Sequence, residues 1–292
     1  MLLQMLINGI ALGAVYALIS VGFALVFNVL KFSNFSHGGV MVLCAYAGYL
    51  LASKLHTNLF LTLLIVAAFG GLIAMGIELI GFRKLRKKNQ NPVLYFVSTV
   101  TIGTLLGNLM TISFPSSFYT YPRFFEVPFF KFLGVNVAKT DALMLAISVL
   151  ALILLMLIIY RTRLGVAIRG ISMDINTTSL MGVDVNFIIS ATFFVSGAFG
   201  GLAGVFLGAN YLLYPQLGNM VVKGWLASAL GGLGSLSGAI IGAFLLGIVE
   251  TILKTIDFIG AGLSPVAIFI IVIIFLFIRP QGILGKSADD KA

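Results

Sequence analysis

Met220-Val221-Val222-Lys223-Gly224-Trp225-Leu226-Ala227-Ser228-Ala229-Leu230, running into Gly231-Gly232-Leu233-Gly234-Ser235-Leu236-Ser237-Gly238, is the stretch on which the fold turns. Its first eleven residues are mostly apolar, yet a helical membrane crossing needs about 20. Its second part interrupts the helix with glycines and serines before another apolar run begins. The piece is too short to cross alone. Whether it still carries the chain back through the membrane sets the direction of everything after it.

Outward from this stretch, longer apolar runs lie at 5–27, 38–52, 59–82, 92–114, 142–160 and 187–209 before it, and at 238–254 and 265–278 after it. Between them sit short basic clusters: Arg83, Lys84, Arg86, Lys87 and Lys88, then Arg161, Arg163 and Arg169, then Arg279 and Lys286. Lys and Arg accumulate on cytoplasmic loops. Two runs separate the first cluster from the second, so both lie on one side. Three runs precede Arg83, which puts the N-terminus outside. The last cluster returns to the cytoplasm only if 220–230 carries the chain inward, with the break at 231–238 within the membrane or near its inner edge. The expected architecture is all-α and integral to the membrane, with about eight transmembrane helices and intramembrane breaks. The N-terminus is outside and the C-terminus cytoplasmic, in a single transmembrane domain over 1–292.

Composition excludes most alternatives. Of the 292 residues 60% are hydrophobic and 9% charged, whereas soluble domains carry about 25% charged residues. A water-facing surface cannot be built from so few charges, so lipid surrounds most of the chain. The net charge of +9 sits in the short gaps between apolar runs and not on one basic face, which removes nucleic acid as a partner. Cys44 is the only cysteine, so no intrachain disulfide forms. Met1-Leu2-Leu3-Gln4 lacks a basic n-region, and the first run is expected to remain as a span.

A second break precedes the run at 38–52: Lys31-Phe32-Ser33-Asn34-Phe35-Ser36-His37-Gly38-Gly39. Breaks at membrane depth are tolerated where protein or a water-filled cavity surrounds them, and transporters place them in corresponding positions of two halves. Asn34, His37, Gly38, Gly232, Gly234 and Ser235 are therefore candidates for a translocation path. Asn34 and His37 either tie the broken backbone together or meet the solute. Glu250 and Lys254 are spaced to pair on one helix face, and Glu78 lies near Arg83; both acids read as ion pairs ahead of proton relays. Gly197, Gly200, Gly201, Gly204 and Gly208, and Gly238 with Gly242, give close-packing helix faces, directed within the chain or at a second subunit. The aromatic loop at 115–140 is an interfacial anchor or a docking surface for an exterior partner.

Five stretches in order resemble the LivH-like permease subunits of ABC importers for branched-chain amino acids. They are Asn8-Gly9-Ile10-Ala11-Leu12-Gly13-Ala14-Val15-Tyr16-Ala17-Leu18; Asn34-Phe35-Ser36-His37-Gly38; Thr162-Arg163-Leu164-Gly165-Val166-Ala167-Ile168-Arg169 continuing to Leu180-Met181-Gly182-Val183; Ala229-Leu230-Gly231-Gly232-Leu233-Gly234-Ser235; and Arg279-Pro280-Gln281-Gly282. The resemblance implies a permease in the bacterial cytoplasmic (inner) membrane, with an amino-acid substrate. Its implied partners are a second homologous permease, two cytoplasmic ATPase subunits and an exterior solute-binding protein, all embedded in or against membrane lipid. It also makes the polar segment 171–183 the coupling helix that docks into an ATPase groove, with Arg163, Arg169, Asp174, Leu180, Met181 and Gly182 at that contact. Arg169-Gly170 and the segment Ile171-Ser172-Met173-Asp174-Ile175-Asn176-Thr177-Thr178-Ser179 depart from the family pattern, which points to a divergent ATPase. Related permeases also move urea or short amides.

No catalytic, metal or cofactor site is expected. His37 and His56 are the only histidines, and no thiolate cluster accompanies them. Gly285-Lys286-Ser287 echoes a phosphate-binding loop, but Pro280 stands where that loop needs Gly. Energy must come from another subunit. A stand-alone ion-coupled transporter would need acids mid-span, and a membrane-embedded enzyme would need clustered His, Asp or Glu.

Overall fold

The computed structural model describes residues 2–88, 91–114, 118–122, 124, 129–132 and 135–285. Arg123 and Phe125 of the aromatic loop, and Lys286 and Ser287 of the tail, lie outside these residues. Twelve α-helices follow one another: α1 (Leu2–Leu30), α2 (Ser36–Lys54), α3 (Leu59–Ile77), α4 (Arg83–Lys87), α5 (Pro92–Ser113), α6 (Lys139–Arg161), α7 (Arg163–Met173), α8 (Ile175–Leu180), α9 (Val185–Asn210), α10 (Val221–Gly231), α11 (Leu236–Leu253) and α12 (Gly260–Ile278). A π-helical turn, Glu78–Phe82, joins α3 to α4, and a 3-10 segment, Pro215–Met220, leads into α10. A small antiparallel hairpin, β1 (Phe129–Phe132) and β2 (Val135–Ala138), precedes α6.

Among the described residues, seven helices are long and apolar enough to cross a membrane: Leu3–Leu30, Leu59–Arg86, Val93–Ser113, Lys139–Arg161, Val185–Asn210, Leu236–Leu253 and Gly260–Ile278. The protein is an all-α membrane protein. α2 and the short α10 lie among the seven. α1 is apolar on every face, which marks a central helix, and its most apolar window is 83% buried; that of α5 is 6% buried, so α5 stands on the rim.

Helix ends collect at two poles. At one, Gln4 donates to the Asn136 carbonyl, Asn210 donates to Asp141, and Tyr119 and Leu213 pair through both backbone amides. At the other, Arg83 and Arg86 meet the start of α9 at Ser190 and Asn186. Phe32, after α1, stacks on Tyr95 in the first turn of α5. α10 runs antiparallel to α11, with Gly231 against Gly238 and Gly242 against Ala227. It therefore carries the chain from the Leu213 pole back toward the tail that follows α12, whose Ile283 and Leu284 amides donate to the Leu230 and Gly231 carbonyls at 2.9 Å.

The glycines on α9 all pack within the chain: Gly197 on α3, Gly201 on Val66, Gly204 on Met41, Gly200 on His37 and Gly208 on Tyr121. Gly197 and Gly70 face each other so closely that a Cβ on Gly197 would sit 2.5 Å from Ala74 Cβ. Van der Waals packing of backbones at such contacts holds membrane helices together, because lipid supplies no hydrophobic drive between them. Gly197→Ala is expected to cost about 1–3 kcal/mol by overpacking and to lower the melting temperature of the detergent-purified protein. Gly76→Ala, where a Cβ meets nothing within 4 Å, is expected to leave it unchanged or slightly raised. Equal melting temperatures for Gly197→Ala and the wild type would overturn this packing account.

Candidate functional site

The early break places its polar residues in two directions. Ser36 Oγ donates to Asn34 Oδ1 at 2.6 Å, closing a local turn at the start of α2. Thr99 of α5 lies against this break, its hydroxyl 3.3 Å from the Ser33 carbonyl, so the break lies about 10 Å along α5 from its start at the rise of 1.5 Å per residue. The His37 ring enters the bundle interior, in a notch where a Cβ on Gly22 or Gly200 would come within 2.8 Å of its Cε1. Its Nδ1 is 3.4 Å from Ser196 Oγ, which itself donates to the Gly22 carbonyl at 2.7 Å, and its Nε2 has no protein partner. Gly38 turns the opposite way, toward a groove.

That groove is a cavity of about 280 Å³ between α2, α5 and the 3-10 segment. Gly38 and Gly39 form its floor, against Gly218 and Gly103. Thr104, Asn108, Gln216 and Asn219 contribute the polar wall. Sequence reasoning did not single these out. The available signal was the polar series Thr101, Thr104, Asn108 and Thr111 inside an apolar run, three or four residues apart and so on one helix face.

The later break is covered by the tail beyond α12. Gly232 (φ 108°) and Gly234 (φ 91°) adopt left-handed backbone conformations that favour glycine, and Ser235 caps α11 by accepting from the Gly238 amide at 3.1 Å. A Cβ on Gly232 would lie 2.5 Å from the Gly285 amide nitrogen. The structure does not bring this break together with Asn34, His37 and Gly38. Gly38 touches Val221 at the start of α10, and Gly232 follows its far end, about 16 Å along the helix.

The segment 171–183 is divided between two helices. Ile171 is buried in the last turn of α7, and Asp174 begins α8 by accepting from the Thr177 amide at 2.8 Å. Gly182 ends the segment with φ 82°. Met173, Leu180 and Met181 are 81–89% exposed on this otherwise polar connection, the kind of apolar display that marks a protein contact. Arg163 is exposed at the start of α7, and the Arg169 guanidinium lies 5.4 Å from the centre of the Tyr160 ring.

Two buried acids are neutralised by paired cations. Glu78 bonds Arg83 at 3.2 Å, Arg86 at 3.0 Å and Ser190 at 2.6 Å. Glu250 bonds Lys254 at 2.8 Å, Lys223 at 2.6 Å and Tyr16 at 2.9 Å. The near-sequence partners Arg83 and Lys254 were legible. Lys223 and Tyr16 come from α10 and α1, and only the isolated charge of Lys223 in an apolar run signalled a buried partner.

The solved complex of PsaBC from Streptococcus pneumoniae with a Fab shares this fold, with a TM-score of 0.53 at 15% identity, covering 96% of this chain and 92% of that chain. At the level of sequence, the high-affinity branched-chain amino acid transport system permease protein BraD of Pseudomonas aeruginosa is 31% identical over 99% of this chain and 97% of its own length. The corresponding protein LivH of Escherichia coli strain K12 is 29% identical over the same shares. Residues 5–279 match the family described as branched-chain amino acid transport system / permease component, and the chain belongs to that family.

Proposed function

We propose that this chain is a transmembrane permease subunit of an ABC importer and moves branched-chain amino acids across the cytoplasmic membrane. The observation that carries this reading is the match of nearly the whole chain to a permease family whose full-length relatives are named for branched-chain amino acid transport. It works with a second, related permease, two cytoplasmic ATPase subunits and an exterior solute-binding protein. The chain does no covalent chemistry. ATP-driven closure of the ATPases moves the segment 171–183, and the exposed Met173, Leu180 and Met181 within it suit insertion into an ATPase groove. Coupling requires contacts that differ between two states of the pair. The buried acids do not favour ion-coupled transport, since each is held by two cations and a hydroxyl.

In this arrangement the pole with Arg83, Arg86 and the tail beyond α12 is cytoplasmic, and the pole with Tyr119 and Leu213 is exterior. α2 supplies an eighth crossing that begins at membrane depth, and the 3-10 segment with α10 is a return limb. Two measurements test the reading. The complex of this chain with its ATPases and binding protein, in proteoliposomes, is expected to accumulate leucine only when the ATPases can reach ATP. Reporter fusions after Lys88 and after Arg163 are expected to score cytoplasmic, and one at Thr120 exterior. An exterior score after Lys88 would overturn the orientation, and ATP-independent leucine accumulation would overturn the importer.

A further inference from the structure

We propose that the groove between α2, α5 and the 3-10 segment is a binding station for the solute on its way across. In it, Thr104, Asn108, Gln216 and Asn219 hold the ammonium and carboxylate of an amino acid, and Val42, Val100 and Val222 receive its apolar side chain. This rests on the importer reading above and names residues for it.

The first observation is unsatisfied polarity. α5 is the least buried of the seven long helices, so its outer faces meet lipid, water or a second subunit. Thr101 and Thr111 satisfy their hydroxyls within the helix, donating to the Val97 carbonyl at 2.9 Å and the Gly107 carbonyl at 3.2 Å. No side-chain hydrogen bond joins Thr104, Asn108, Gln216 or Asn219 to another described residue, yet all four line one cavity. Hydrocarbon cannot satisfy such exposed groups, so they require water, a polar ligand or a second subunit.

The second observation is the kind of polarity. Every polar side chain in this lining is uncharged. An amide both donates and accepts, so a set of amides matches both ends of a zwitterion and no fixed charge is left uncompensated when the solute departs. Passage requires binding favourable enough to enter and weak enough to leave; a buried Asp or Arg would hold one end too firmly. The rest of the side-chain lining is largely apolar and includes Val42, Val100 and Val222. About 280 Å³ is close to the lower end of small-molecule sites, which run from about 300 to 1,000 Å³, and suits a solute no larger than one amino acid.

Gly107 makes the test clean. It lines the groove, and a Cβ added there meets nothing within 4 Å. Gly107→Leu is therefore expected to fill the groove without disturbing the chain's own packing. In the complete complex in proteoliposomes, Gly107→Leu is expected to cut leucine uptake at least tenfold while assembly by size-exclusion chromatography is unchanged. Gly76→Leu, at an equally open position away from the groove, is expected to transport normally. Asn108→Ala with Gln216→Ala is expected to raise the KM for leucine more than it lowers kcat, and Val100→Phe to depress leucine uptake more than alanine uptake. A purely structural role would not shift that leucine-to-alanine ratio. Leucine uptake by Gly107→Leu and by the double variant at wild-type KM overturns the station and leaves the importer reading intact. Loss of assembly in Gly107→Leu overturns it in favour of a subunit contact. A wild-type complex that does not move leucine overturns the importer reading, and the station with it.

Discussion

Gly182→Val is expected to leave membrane insertion and permease levels unchanged while cutting ATP-driven uptake by about 5- to 150-fold. Gly182 closes the segment after α8, its amide donating to the Ser179 carbonyl at 3.0 Å, with φ 82°. A β-branched residue is a poor occupant of that region, and holding it there costs about 1–3 kcal/mol. A Cβ at this position meets nothing within 4 Å, so the cost is purely one of backbone conformation and has no steric route into the bundle. The chain relieves it by re-aiming the turn, and Leu180 and Met181, both exposed, move with it. A misalignment of about 1–3 kcal/mol corresponds to about 5- to 150-fold in a coupled equilibrium. Asp174→Arg is expected to act the same way with smaller effect, since it removes a cap worth about 1 kcal/mol from the Thr177 amide. Pull-down of the ATPase, with uptake at matched permease levels, measures both. Retained ATPase and full uptake in both variants would move the coupling role to another loop, with 83–88 next in line.

The parts of this molecule that follow from local chemistry were open to reading in the sequence. Apolar runs long enough to cross, basic gaps such as Arg83–Lys88, and glycine-rich interruptions each act within a few residues of themselves. Charge parity calls for a return limb at the short piece before Gly231, and α10 there runs antiparallel to α11. Less visible was the division of 171–183. Ile168 and Ile171 fall on one face of a helix that starts at Arg163 and buries them, while Asp174 begins a new helix with its own cap. Both capping residues, Thr162 and Asp174, stood in the sequence, but a cap announces itself only when the helix it starts is known. Both breaks read as bordering a translocation path, and the length of α10 lies between them. The groove was the least legible feature. Thr104 and Asn108 sit 112 residues from Gln216 and 111 from Asn219 respectively, and nothing in one dimension says that these side chains share a cavity.

Removing the Glu250 carboxylate alone is expected to be among the most damaging single changes in the chain. Glu250 is 1% exposed and receives Lys223 and Lys254 on one oxygen and the Tyr16 hydroxyl on the other. Lys223 also lies 2.9 Å from the Tyr16 hydroxyl, so α1, α10 and α11 are joined at this point. Glu250→Leu leaves two ammonium groups beside a greasy side chain, and loss of one member of a buried pair costs about 3–5 kcal/mol. Membrane levels and melting temperature are expected to fall accordingly. Glu250→Leu with Lys223→Met replaces the pair by apolar groups of similar size, a change that is often neutral or stabilising. Lys254 is one-third exposed and can extend its ammonium toward water. The double variant is therefore expected to regain most of the lost stability, and with it ATP-driven leucine uptake, because the cluster joins helices and carries no ion. A double variant that is stable in the membrane yet inactive would show that Glu250 participates in transport itself, and would reopen ion coupling.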